Sequence, residues 1–306
     1  NTLDTIPSPL LNRMEVIEFQ GYTPSEKLEI AKRHLFPKAL KNVGLAEGDV
    51  ALADDVLDTI ISDYTREGGV RGLKKRLDTL CRIAAVKYIQ AEEEGKERPV
   101  IQVTRENLRD FLDMHALPHN KVKASAQPGV VTGLAWTQVG GEILYIESLF
   151  TKGSGKTIIT GQLGDVMKES SAIAQALVQS RFPEQAELFE KNDLHIHVPD
   201  GSTPKDGPSA GITMTTAIAS LVTGIPVPPN IAMTGEVSLE GAVSAIGGLP
   251  EKLMAAERAG VQKVFIPKEN IDDLRDVAAE VRDRLEIIPV ESIEEVLTTL
   301  GILKHK

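Results

Sequence analysis

A chain of 306 residues, 42% hydrophobic and 25% charged, is long enough for two or three domains that each bury a core. Its net charge of −10 argues against a dedicated nucleic-acid surface, and its single cysteine excludes an internal disulfide framework and suits a reducing compartment. No apolar run approaches the ~18 residues of a membrane helix, and the first residues lack the basic and apolar regions of a signal peptide.

In chain order, the first hundred or so residues read as helices. Leu28, Ala31, Leu35 and Ala39 mark one apolar stripe, Leu52, Val56, Ile60 and Tyr64 a second, and Val70, Leu73, Leu77, Leu80 and Ala84 a third. Cys81 falls on the third stripe as a small core residue, and the basic cluster Lys74-Lys75-Arg76 is the solvated face of the same helix. A short strand is expected over Val100 to Val103, then a helix beginning at Arg105 with Thr104 as its N-cap. The stretch from Ala116 to Gly129 has no period and reads as a linker.

Beyond Gly129 the pattern changes to short strands interleaved with helices. Strands are expected at Val130 to Thr137, Glu142 to Thr151, Lys156 to Gly161, Leu194 to Val198, Ala242 to Ile246, Lys263 to Ile266 and Leu285 to Val290. A helix is expected from about Asp165 to Arg181. Elements of both kinds imply an α+β domain built on a mixed sheet.

Two motifs carry chemistry. Pro204-Lys205-Asp206-Gly207-Pro208-Ser209-Ala210-Gly211 places a serine at the start of an apolar helix, where unpaired N–H groups can stabilise an oxyanion. Gly247-Gly248-Leu249-Pro250-Glu251-Lys252 places a lysine in the first turns of another, where burial and the helix dipole both disfavour the ammonium. The pairing reads as Ser209 the nucleophile and Lys252 its base. On spacing alone a capping serine and a solvated lysine remain equally open. Asp206 would raise the lysine pKa if it paired with Lys252; otherwise it is a solvated loop carboxylate.

Three other patterns compete. Gly207 to Gly211 also fits G-x-S-x-G, but the only later histidine is His305, beside the chain end. His195 and His197 share one face of an expected strand; either would be the base of a histidine-dependent esterase, against the chain order of that fold, and as metal ligands they lack a third partner at a recognisable spacing. A catalytically silent peptide-binding or assembly module, in which Ser209 and Lys252 do not meet, is the other alternative. Gly153-Ser154-Gly155-Lys156-Thr157 resembles a phosphate-binding loop, yet Phe150 stands where glycine is required and a strand pattern follows, so a hairpin turn is expected.

The chain resembles the C-terminal part of Lon proteases. The likeness rests on Gly133 to Thr137, Gly161 to Ser170, His195 to Gly211, Ala232-Met233-Thr234-Gly235-Glu236 and Ile246 to Ala256, in family order. Upstream, Asn1 to Ile17 and Glu67-Gly68-Gly69-Val70-Arg71-Gly72-Leu73 resemble the end of the family's ATPase module and its helical lid. The resemblance implies the end of a large ATPase subdomain over 1–18, a helical AAA+ lid over 19–117, a linker over 118–128 and a Ser–Lys protease domain over 129–306. It also implies that the Thr234 hydroxyl contacts the catalytic lysine.

Asn1, Arg13 and Arg71 match positions that touch nucleotide in the family, although Asn12 departs from the aspartate common before the arginine. ATP and magnesium, a hexameric ring, unfolded or damaged protein substrates, DNA as a further ligand, and a cytosolic or mitochondrial-matrix setting belong to the same implication. No phosphate-binding loop or acidic magnesium motif occurs in the sequence, so this chain is expected to hydrolyse peptides without a cofactor or metal and not to hydrolyse ATP. Trp136 reads as a core residue, with a place in a peptide groove as the alternative.

Overall fold

The computed structural model describes residues 6–17, 21–96, 99–117, 121–137, 140–199 and 205–304. Asn1, Pro204 and His305 lie outside them. The N-terminal part begins with α1 (Ser8–Leu11) and α2 (Pro24–Ile30), which opens on a capping box between Thr23 and Glu26. A π-helical segment, Ala31–Leu35, joins α2 to α3 (Phe36–Asn42). It ends two residues before Pro37, whose missing N–H and bulky ring interrupt a regular ladder.

Then come β1 (Val50–Leu52), α4 (Asp54–Asp63), α5 (Arg71–Glu93), β2 (Ile101–Val103), parallel to β1, and α6 (Leu108–Leu112). Helix α6 starts later than expected. Asn107, not Thr104, is its N-cap residue, and Asn107 Oδ1 instead accepts the Thr104 N–H at 2.8 Å. Leu73, Leu77, Leu80, Cys81 and Ala84 of α5 pack with Ile60 and Leu108 in one core. Burial there, aided by Asp78, pushes the Cys81 thiol up to about 12, which leaves it unreactive.

The second part contains β3 (Val130–Thr137), β4 (Gly140–Lys152), β5 (Thr157–Thr160), α7 (Asp165–Arg181), α8 (Ala186–Lys191), β6 (Asn192–His197), α9 (Gly211–Thr223) and β7 (Ile231–Met233). It continues with β8 (Glu236–Val237), β9 (Val243–Ser244), α10 (Leu249–Ala259), β10 (Lys263–Pro267), α11 (Ala279–Arg284), β11 (Glu286–Val290) and α12 (Ile293–Thr299). Seven strands form a mixed sheet in the order β11-β10-β7-β3-β4-β6-β5. Helices α7, α9 and α12 cover one face, with Ile146, Leu194 and Ile196 beneath them. Helix α10 and Val281 of α11 cover the other, over Leu134, Ala232 and Val264.

Three strand expectations need correction. Strands β4 and β5 do not form a hairpin, because β6 lies between them, antiparallel to β4 and parallel to β5. The segment 242–246 contributes only the two-residue β9, which pairs with β8 outside the main sheet. The central β7 is missing from the expected strands, and it is parallel to both β3 and β10. No helix among the described residues is long and apolar enough to cross a membrane.

Candidate active site

Gly207, at φ 127°, turns the chain into a 3-10 turn, Pro208–Ala210, that leads into α9. Two backbone bonds clasp this turn to the segment after β7. Gly235 N–H donates to Ser209 O at 2.9 Å, and Ile212 N–H donates to Gly235 O at 3.1 Å. The approach is close enough that a Cβ on Gly211 would lie 2.8 Å from Val237 N. Ser209 is half-buried at the front of this clasp.

Lys252 comes from the opposite face of the sheet. Gly248, at φ 69°, precedes α10 and its carbonyl accepts the Lys252 N–H at 3.1 Å. The lysine is 2% exposed, and Nζ donates to Thr234 Oγ1 at 3.1 Å. Thr234, fully buried just past β7, donates in turn to Ser209 O at 3.4 Å. Burial alone pushes the Lys252 pKa down to about 8, with no charged neighbour contributing. Keeping the ammonium charged in this place costs about 3 kcal/mol relative to water, so roughly a tenth of the molecules carry a neutral amine at pH 7.

The structure therefore links Lys252 through Thr234 to the backbone of Ser209. It does not close the last contact: among the described residues no hydrogen bond reaches Ser209 Oγ, from Lys252 Nζ or from any other group.

Asp206 does not pair with Lys252. Its Oδ1 accepts the Met167 N–H at 3.0 Å, in the first turn of α7, and the Gly207 N–H at 2.9 Å. A neighbouring parallel bridge, Leu163 to Lys205, brings α7 and the serine loop together. Gly164 is required in this contact, since a Cβ there would lie 2.2 Å from Asp206 Cγ. Of the two alternatives the sequence leaves open, the lysine pair is not formed; Asp206 is an exposed loop carboxylate, favourably placed at a helix N-terminus.

Trp136 is not a core residue. It is 59% exposed and lies over Gly248, where a Cβ would come within 2.7 Å of its ring. His195 and His197 share one face of β6 as expected, and both rings bond Thr160 Oγ1, at 2.9 and 2.7 Å. Among the described residues no group of three His, Cys, Asp or Glu side chains is placed to hold a metal. In the turn Gly153–Thr157, the N–H groups of Ser154 and Lys156 donate to Asp193 Oδ1 at 2.8 and 2.9 Å. The protein's own carboxylate thus fills the place a phosphate would take. Arg13 and Arg71 are exposed, the latter at the start of α5, whose first turn is capped by Glu67 through the Gly72 and Leu73 N–H groups. These residues alone do not make a nucleotide site.

Residues 102–302 match the model of the Lon protease (S16) C-terminal proteolytic domain, and residues 41–98 that of the Lon protease AAA+ ATPase lid domain. A Lon protease of Clostridium beijerinckii is 53% identical over 303 residues, 99% of this chain and 38% of that protein. Lon proteases of Methanosarcina barkeri and Brucella suis are each 50% identical, over 97% of this chain and 37% and 36% of theirs. The chain spans a little over a third of the length of these relatives. With its helical lid region followed by a mixed-sheet proteolytic domain, it belongs to the Lon protease family.

Proposed function

We propose that this chain is the serine endopeptidase module of a protein-degrading protease, with Ser209 as nucleophile and Lys252 as general base. The observation that carries the proposal is a buried lysine whose pKa is lowered to about 8 and whose hydrogen-bond partner is a hydroxyl rather than a carboxylate. A neutral Nζ has one lone pair. Thr234 orients the amine so that this lone pair is available to Ser209, and rotation of the serine side chain brings Oγ to it.

In the first step Nζ takes the Oγ proton as Oγ attacks the scissile carbonyl carbon. The N–H of Ser209 itself, in the turn that leads into α9, stabilises the tetrahedral oxyanion. The resulting ammonium protonates the leaving amine, which departs and leaves an acyl-serine. The neutral lysine then takes a proton from water, which attacks the ester; Ser209 regains its proton from the lysine and the acid product leaves. Trp136, exposed beside Gly248, lines the peptide groove, and substrate pairs with the neighbouring strand as an added strand.

The larger context is part of the same proposal. The longer protein uses ATP and magnesium, forms a hexameric ring and degrades unfolded or damaged proteins, whereas this chain lacks a phosphate-binding loop and cleaves short peptides without ATP. An acylating probe tests the chemistry: it labels the parent on Ser209 and fails on Ser209→Ala and Lys252→Ala at neutral pH. Labelling of Lys252→Ala at the parental rate would refute the dyad. Fluorogenic peptide cleavage measured with and without ATP across a dilution series tests the module. ATP-stimulated turnover would overturn the absence of a nucleotide site. A neighbouring subunit holds the loops around Ser209 in the productive geometry, so specific activity rises with protein concentration, and activity independent of concentration would overturn that.

A further inference from the structure

Helix α10 carries Lys252, and the first residues of β4 hold it at two points. Gly141 packs against its start. A Cβ on Gly141 would lie 2.0 Å from Glu251 O and 3.0 Å from Lys252 N, so the strand meets the helix backbone at the lysine itself. The Gly141 carbonyl also accepts from Arg258 Nη2 at 3.1 Å, near the other end of the helix. The next residue in the strand, Glu142, reaches across to the lid, with Oε1 3.3 Å from Arg66 Nη1.

These groups surround a cavity of about 220 Å³ between the lid and the protease domain, lined also by Asp63 and Lys121. Burial lowers the Arg258 pKa; Glu142, Glu257 and Asp63 oppose this and Arg66 adds to it. Lys27 of the lid feels the same guanidinium. Within the lid, Leu117 N–H donates to Asp63 O at 2.6 Å, which anchors the start of the connecting segment beside the cluster.

We propose that Arg66, Glu142 and Arg258 are positioning residues for Lys252, which make the depth of the lysine in the core depend on how the lid is seated. A half-exposed ion pair such as Arg66–Glu142 contributes only ~0–1 kcal/mol to stability by itself. Its leverage is geometric, because Glu142 is bonded to a glycine with no free space between it and the backbone of Lys252. When the lid side of the tie is lost, the start of β4 relaxes away from α10 and water reaches the amine. The ammonium is then better solvated and less base is present at neutral pH. The rate consequence rests on Lys252 being the base; the positional claim does not.

The test uses the 306-residue chain and its Arg66→Met, Glu142→Gln and Arg66→Lys variants. Lysines are labelled biosynthetically with ¹³C at Cε and titrated by NMR, and the Lys252 signal is the one missing from Lys252→Arg. The Lys252 midpoint is expected to rise by about half a pH unit or more in Arg66→Met and Glu142→Gln, which is roughly a threefold loss of neutral amine at pH 7. It is expected to return to the parental value in Arg66→Lys. An interface that merely holds two domains together would lower the urea midpoint and leave the titration unmoved, and that result overturns the proposal. Should Glu142→Gln not fold, Arg66→Met alters only the lid side, and its titration alone supports or overturns the tie. The two readings fail separately, since probe labelling of Lys252→Ala tests the base and the titration of the lid variants tests the tie.

Discussion

Replacing Lys252 by methionine should inactivate the protein and make it more stable at neutral pH. Methionine fills a similar volume without a charge, and the site is 2% exposed. With a folded-state pKa of about 8 against an ordinary value of 10.5, the buried ammonium costs about 3 kcal/mol at pH 7. The variant escapes that cost and forfeits the bond to Thr234, worth about 1 kcal/mol, for a net gain of about 2 kcal/mol. The sign follows from proton binding. Between pH 8 and 10.5 the unfolded parent binds more protons at this lysine than the folded parent, so parental stability rises with pH relative to the variant, in which every other group titrates alike. Urea denaturation at pH 7 and pH 10.5 reads both, and the advantage of the variant should disappear by the upper pH. A variant less stable than the parent at pH 7, or a gap independent of pH, would refute the claim that burial sets the lysine pKa.

Asp206→Ala should cost about 1 kcal/mol through loss of the contact with the first turn of α7, measured by urea denaturation, whereas Asp206→Asn keeps an acceptor oxygen and should lose less. Equal losses in the two would show that the charge, not the hydrogen bond, holds the loop. Gly164→Ala should displace Asp206 and slow Ser209 labelling with Lys252 untouched; unchanged labelling would mean that this contact does not set the serine position. His197→Ala should label with the probe at close to the parental rate, since its ring is engaged with Thr160; loss of labelling in a folded variant would revive a histidine base.

What the sequence discloses depends on how local the cause is. The helix Asp165–Arg181 is legible because its period and bounding residues lie within its own stretch. Strand β7, three residues long, has no room to display a period, yet it sits mid-sheet and delivers Thr234. The carboxylate of Asp206 is visible near the serine, but its partner Met167 lies 39 residues away and is adjacent only because Leu163 bridges to Lys205. In the same way the glycine-rich turn at Gly153 looks like a phosphate cradle until the fold brings Asp193 into it. Trp136 reads as core by its residue type, and only its place at the end of β3, over a glycine, leaves it exposed. Gly141 and Arg258 carry no signal in sequence, because the role of each depends on the other's position.

Ser209 leads into a helix that packs on one face of the sheet, and Lys252 sits on a helix packed on the other. The proposed pair therefore straddles two separately assembled hydrophobic layers and is linked only through Thr234, just past the end of the strand between them. Under the proposed mechanism, a newly made chain in which one layer has condensed and the other has not would hold half of the reactive machinery and would be unable to cut itself or its neighbours. Completion of the fold acts as a safety catch, released only when the molecule is whole.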